Sequence, residues 1–382
     1  MRYPLSILAP TRYPWRFNSP RQSRHRIAIR AFLPLNYISK KIEGITIFNP
    51  LPPKHFDLIH AFNRIPISGL PFVIGFESHL PRGFGIERSA FFRFMTSRLA
   101  DDNCRAIIAT SKFARRMFLN MHEHAQHREL LYKKIQVRLP NIFISHTSDA
   151  FDEPSQEPIR LVFVGNHFGR KGGCVTLRMA ELAIEKKLPI LFDVVSKFEV
   201  GPPSWTDPLT PGYFDRYRDL LTLSNVRYHG SLANTSVLEL IRHAHFAILT
   251  TFSDTFGYSA IEAMANYTPV IATAQGALPE FIEHEKNGVL LDLTTDKFGE
   301  WVHLKADRTT DGFARRHREE IERLADAALD AVMRLATSGS EYGKLRQNAR
   351  ATAVRLFSAK DANKYWDGLY ESAVRGVVAP EL

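Results

Sequence analysis

The chain has 382 residues, enough for two domains of ordinary size. A hydrophobic share of 45% with 24% charged residues is globular in kind, no apolar run approaches the ~20 residues of a membrane helix, and two distant cysteines, Cys104 and Cys174, exclude a disulfide framework or a metal knuckle. The net charge is +10, yet residues 1–50 carry nine basic groups against one acid, so the positive field is local.

The N-terminal stretch lacks the long apolar core of a secretory signal. Its arginine content matches a transit peptide, whereas LSILAP reads as a first strand. Arg12, Arg16 and Arg21 are interleaved with Tyr13, Trp15 and Phe17. That mixture fits an anionic acceptor, an anionic lipid surface, nucleic acid or a solvated loop. No recognisable nucleic-acid module accompanies the charge, so a nucleic-acid partner is not expected.

Apolar runs over 5–9, 27–33, 44–48, 58–62, 72–76, 106–109 and 135–138 read as strands, with helices over 86–99 and 112–124. Residues 145–158 are polar, acidic and proline-containing, and read as a linker. A second alternation follows. The strands are IRLVFVG, ILFDVV, VRYHG, FAILTT, PVIAT and VLLDL, and the helices lie over 174–186, 212–223, 236–243 and 259–265. Residues 310–377 have helical period and high charge. The alternation predicts an α/β protein with parallel sheets.

Two segments carry chemistry. In FVGNHFGRKGG a buried strand ends at Gly165, and a glycine-rich loop then places Arg170 and Lys171 before a helix. This is either a basic turn or an anion site. It is neither a GxxxxGK[ST] loop nor a GxGxxG fingerprint. In TTFSDTFGYSAIEAMANYTPVIAT, Asp254 precedes the turn Phe256-Gly257-Tyr258-Ser259, and Glu262 follows on the next helix. Each acid alone could be a helix-end or a solvated residue. Both segments follow strand ends of one sheet, where ligands collect, and together they suit a nucleotide diphosphate carrying a sugar.

The order of these motifs resembles the retaining glycosyltransferases of family 4, of E-x7-E type. The resemblance is strongest over residues 159–293. It implies a GT-B fold, with two facing Rossmann-like domains, a cleft between them and closing helices that cross back. The implied domains are 1–150 for the acceptor, 151–357 for the donor and 358–382 for the crossover helix. Lys171 falls on the family's phosphate-binding lysine and Glu262 on its ribose-binding glutamate. The backbone at Gly257, Tyr258 and Ser259 would meet the phosphates, and Gly230, Ser231 and Leu232 would receive the base. Asp254 stands where the family has a sugar-contacting glutamate, and Asn166 where it has an arginine. Glu77 stands where the family often has a histidine, with His79 two residues later.

The implied reaction is metal-independent, retaining transfer from a UDP- or GDP-sugar to a hydroxyl, with no cofactor. Arg170 and Lys171 would stabilise the leaving diphosphate. Glu77, His79 and Asp254 are the expected catalytic groups. The expected acceptor is a glycan or lipid-linked molecule of the cell surface, met by Arg12, Arg16 and Arg21. The expected location is cytoplasmic, peripheral to the inner membrane face. A noncatalytic nucleotide-sugar-binding protein is the alternative.

Overall fold

The computed structural model describes residues 4–11, 13–33, 39, 42–48, 55–144 and 158–376. The chain forms two compact units, Met1–Ile144 with Leu356–Leu382, and Ser145–Arg355. Arg12 and residues 145–157 of the expected linker lie outside the described residues.

The first unit begins with β1 (Ser6–Pro10), α1 (Tyr13–Phe17), β2 (Arg26–Arg30), β3 (Phe32–Leu33), β4 (Ile45–Phe48), β5 (Leu58–Phe62) and β6 (Ile65–Pro66). It continues through β7 (Phe72–Phe76), α2 (Ala90–Ala100), β8 (Cys104–Ala109), α3 (Lys112–Met121), α4 (Arg128–Lys134) and β9 (Ile135–Val137). The second unit opens with β10 (Ile159–Val164), α5 (Gly173–Glu185), β11 (Ile190–Val195), α6 (Asp215–Asp219), β12 (Val226–Gly230), α7 (Asn234–His243) and β13 (Phe246–Leu249). Then come α8 (Tyr258–Ala265), β14 (Val270–Thr273), β15 (Gly288–Leu291), α9 (Asp311–Ala336), α10 (Gly339–Phe357) and α11 (Ala359–Arg375). The unit boundary falls in the last turn of α10, and α11 belongs to the first unit.

The first unit's main sheet has the order β2-β1-β5-β7-β8-β9, all parallel. Side chains alternate between its faces, as a strand dictates. Val73, Ala106 and Ile108 pack with Trp366, Leu369 and Tyr370 of α11. Ile74, Ile107 and Ala109 pack on the other face with Met95, Leu99 and Phe118. Trp366 is 1% exposed, and truncating a side chain so enclosed costs about 3–5 kcal/mol.

The second unit's sheet has the order β12-β11-β10-β13-β14-β15, also all parallel. Its strand order reverses between β10 and β13, which creates a crevice at their carboxyl ends. Leu161 and Phe163 of β10 pack with Val175 and Leu177 of α5 and with Leu324, Ala328 and Val332 of α9.

Some boundaries differ from expectation for local reasons. The strand expected over 27–33 divides, and Phe32–Leu33 joins a small sheet of order β3-β4-β6, together with the strand expected over 44–48. The helix expected from 86 starts after Ser89, whose hydroxyl accepts the Phe92 N–H at 3.1 Å. The helix expected from Gly212 starts at Asp215, because Gly212 has φ +72°, and it tightens into a 3-10 turn at Leu220–Thr222. The helical tail is three helices, with breaks at residues 337–338 and at Ser358. Among the described residues, no helix is long and apolar enough to cross a membrane.

Candidate functional site

Five loops leave the carboxyl ends of β10, β11, β12, β13 and β14, and they carry the candidate site. Glycine permits the closest approach. Gly172 has φ +89°, and a Cβ there would lie 2.3 Å from the Thr250 carbonyl oxygen. Gly276 has φ +58°, and its Cβ would lie 2.3 Å from the Asp254 carbonyl oxygen. Larger residues would separate these loops.

Hydrogen bonds then lace the basic loop to the 250–257 segment. The Arg170 carbonyl accepts the Phe252 N–H and the Thr251 hydroxyl, each at 2.9 Å. The Arg170 guanidinium donates to the Ser253 carbonyl at 2.6 Å. The Thr273 hydroxyl, on β14, donates to the Thr251 carbonyl at 2.5 Å. Three strand ends are thereby fixed to one another.

Charge is concentrated there. Arg170 and Asp254 are 7% and 8% exposed. The Lys171 ammonium donates to the Asp254 carboxylate. Burial pushes that carboxyl's pKa up, but the charges of Lys171 and Arg170, the Lys171 hydrogen bond and the Phe256 N–H outweigh it, so the pKa stays below the usual range. Gly165 makes room for the lysine stem, since a Cβ there would lie 3.0 Å from Lys171 Cβ and Cγ. Asn166 is exposed and turns to the next loop: its carbonyl accepts the Glu199 N–H at 2.9 Å and its side chain the Lys197 N–H at 3.4 Å.

Helix α8 opens beside this ion pair. Gly257 caps it with φ +88°, and a Cβ there would lie 2.7 Å from Leu278 Cδ2. Phe256 is fully buried, whereas Tyr258 and Ser259 are half-buried on the first turn. One turn on, the Glu262 carboxylate accepts from the Asn234 amide at 3.5 Å. Asn234 opens α7 after the loop Gly230-Ser231-Leu232-Ala233. Gly230 has φ +62°, which turns the chain out of β12. A cavity of about 480 Å³ adjoins this loop, lined by His229, Leu232, Thr235, Ser236, Glu239, Leu240 and His243. The structure thus gathers Arg170, Lys171 and Asp254 at one end of the α8 N-terminus, and Glu262 with the 230–234 loop at the other.

In the first unit, Glu77 follows β7. Its carboxylate accepts from the Asn63 amide at 3.1 Å, and its N–H donates to the Asn63 Oδ1 at 3.2 Å. His79 Nδ1 lies 3.0 Å from the Ser78 hydroxyl, and its ring meets Phe84 edge-on at 5.3 Å. Arg16 is exposed on α1. Arg21 is committed to structure: Nε and Nη2 donate to the Asn141 side chain and carbonyl at 3.1 and 2.8 Å.

Several contributors were not singled out from the sequence. Gln275 is 3% exposed; its Oε1 accepts the Asp254 N–H at 3.2 Å, and its amide nitrogen has no hydrogen-bond partner among the described residues. Asp207 is fully buried against Gly169, whose Cβ would lie 2.7 Å from the carboxylate. Asp193 pairs with His229 at 2.7 Å. Trp205 lies over the Arg170 guanidinium at 4.5 Å. A tryptophan and an aspartate in the loop GPPSWTDPLTPG were a visible signal. Their docking on the basic loop was not.

Among the described residues no group of three or more His, Cys, Asp or Glu could hold a metal ion. The family model for Glycosyl transferases group 1 matches residues 158–302, which contain the whole loop cluster. The D-inositol 3-phosphate glycosyltransferase of Thermobifida fusca is 30% identical over 138 residues, covering 36% of this chain and 32% of that protein. The protein of the same name from Mycolicibacterium smegmatis is 26% identical over 268 residues, covering 66% of this chain and 58% of that one. The chain therefore spans between about a third and three fifths of these relatives' lengths. The crystal structure of Anabaena Alr3699/HepE in complex with UDP-glucose superimposes with a TM-score of 0.58 at 14% identity, over 96% of this chain and all of that one. With the two parallel Rossmann-like sheets, this similarity establishes the α/β GT-B fold.

Proposed function

We propose that the protein is a glycosyltransferase that moves a sugar from a UDP- or GDP-sugar to a hydroxyl acceptor with retention of configuration. The observation that carries this reading is the lacing of Arg170 and Lys171 to the 250–257 segment at the strand reversal of the second unit. The group 1 match over the same residues and the named activity of the relatives support the reaction class.

Cleavage of the bond between the anomeric carbon and the phosphate oxygen puts negative charge on a diphosphate. Lys171, Arg170 and the amides opening α8 oppose that charge without needing a metal ion. Asp254 holds the ammonium in place and meets the sugar. The acceptor oxygen bonds to the face of the anomeric carbon that the phosphate leaves, and the hydroxyl proton passes to the departing phosphate oxygen. Glu262 takes the ribose hydroxyls, and the 230–232 loop the base. Glu77 or His79 of the first unit serves the donor sugar or the acceptor hydroxyl, and the acceptor is a glycan or lipid-linked molecule reached at an anionic membrane face.

A panel of sugar nucleotides, incubated singly and followed by mass spectrometry for released sugar, tests this. Turnover with one donor, abolished by Lys171→Ala and by Glu262→Ala, is expected. Binding without turnover of any donor, in the presence of a broad acceptor library, would leave the noncatalytic alternative.

A further inference from the structure

Trp205 is anomalous in its setting. Its neighbours Ser204 and Thr206, and Asp207 beyond, are fully buried, yet Trp205 is 46% exposed. The chain's other three tryptophans, Trp15, Trp301 and Trp366, are 4%, 3% and 1% exposed. A loop that only needed filling would turn this indole inward, because leaving so large an apolar surface in water forfeits its burial.

The loop is also well anchored. Asp207 accepts the Gly201 N–H at 2.9 Å, Ser204 N–H donates to Gly201 at 3.0 Å, and Arg308 donates to the carbonyls of Ser204 and of Asp207, the latter at 3.1 Å. The indole is oriented in turn: its Nε1 donates to the Ser253 hydroxyl at 3.1 Å, and the Arg170 guanidinium lies 4.5 Å from the ring centroid. Trp205 thus touches the residues that directly precede Lys171 and Asp254.

We infer that Trp205 is a stacking platform for a pyranose ring, and so a specificity-determining residue of the site. The inference rests on the glycosyltransferase reading, in which Lys171 and α8 hold the diphosphate. The base then lies towards Glu262 and the 230–232 loop, and a saccharide lies on the Asp254 side, where Trp205 stands. The apolar C–H face of a pyranose carries partial positive charge and complements an indole's electron-rich face. The ring belongs either to the donor sugar or to a saccharide acceptor.

Calorimetry with matched pairs, UDP against UDP-glucose and GDP against GDP-mannose, separates the contributions in wild type, Trp205→Ala and Trp205→Phe. If the ring is the donor's, Trp205→Ala weakens the sugar nucleotide about tenfold relative to its own nucleotide, and Trp205→Phe retains most of the affinity. If the ring is the acceptor's, that ratio stays put. In that case methyl α-glucopyranoside or methyl α-mannopyranoside protects the fluorescence of nucleotide-saturated protein from acrylamide. Trp205 is the exposed emitter, so this signal is its own. An unchanged ratio together with no protection overturns the inference. So does equal weakening of nucleotide and sugar nucleotide, which would make Trp205 only a brace for Arg170. If no nucleotide binds wild type, the glycosyltransferase reading fails, while saccharide protection in free protein still decides the role of Trp205.

Discussion

Asp254 and Glu77 both follow buried parallel strands, yet the two units treat them differently. Asp254 is buried and ion-paired to Lys171, with Arg170 beside it. Glu77 is half-buried and bonded to the neutral amide of Asn63. A third carboxylate, Asp207, is fully buried with a backbone N–H and the Thr206 hydroxyl as direct partners. A carboxylate in the loops that follow these strands therefore has no fixed meaning. Its partners and its burial decide whether it holds a cation, accepts from an amide or is driven towards protonation.

The largest effect should come from breaking the cation pair. Lys171→Ala leaves Asp254 buried without its ammonium, and loss of one partner of such a pair costs about 3 kcal/mol. Urea unfolding should show that loss, and Lys171→Ala combined with Asp254→Asn should recover much of it. Donor turnover should stay abolished in both. Recovery of turnover in the double variant would mean that the cation serves only the fold.

Asp207 gives the pH test. Burial raises its pKa to about 7, against the opposing Gly201 N–H, the Thr206 hydroxyl and the charges of Arg170 and Arg308. The folded state therefore holds a proton that the unfolded chain releases near pH 4. Stability from this group is full below pH 4, falls by about 1.4 kcal/mol per pH unit up to pH 7, and then levels off. Denaturation of wild type and Asp207→Asn at pH 5 and pH 8 should show that slope only in wild type. Parallel slopes would place an ionised carboxylate in the fold.

Arg21→Ala should cost about 1 kcal/mol through its two bonds to Asn141, whereas Arg16→Ala should be nearly neutral in stability. Equal effects would erase that distinction. Smallest is Glu77→Gln, which can still accept from Asn63 and should change the unfolding midpoint little. A marked loss of turnover at unchanged stability would identify Glu77 as a group of the reaction.

Much of the architecture was legible because parallel strands, buried on both faces, appear as unbroken apolar runs such as IRLVFV and FVIGF. The core of the site was legible because short contiguous segments, RKGG and SDTFGYSAIE, supply its glycines, cations and acids. What escaped depends on distant pairing. Arg21 meets Asn141 across 120 residues, Gln275 meets Asp254 across 21, and Trp205 meets Ser253 across 48. No local pattern marks such partners. Local capping did mark the start of α2 at Ser89, three residues after the Ile86 at which the helix was expected to begin.

The Arg170–Lys171 loop and α8 together make the proposed nucleoside diphosphate site. Titration calorimetry of UDP and GDP, with orthophosphate as reference, tests it most directly in wild type and Lys171→Ala. We expect one nucleotide to bind wild type far more tightly than orthophosphate, and Lys171→Ala to weaken it at least about tenfold. Binding no better than orthophosphate, or equal affinity in the variant, would contradict the claim.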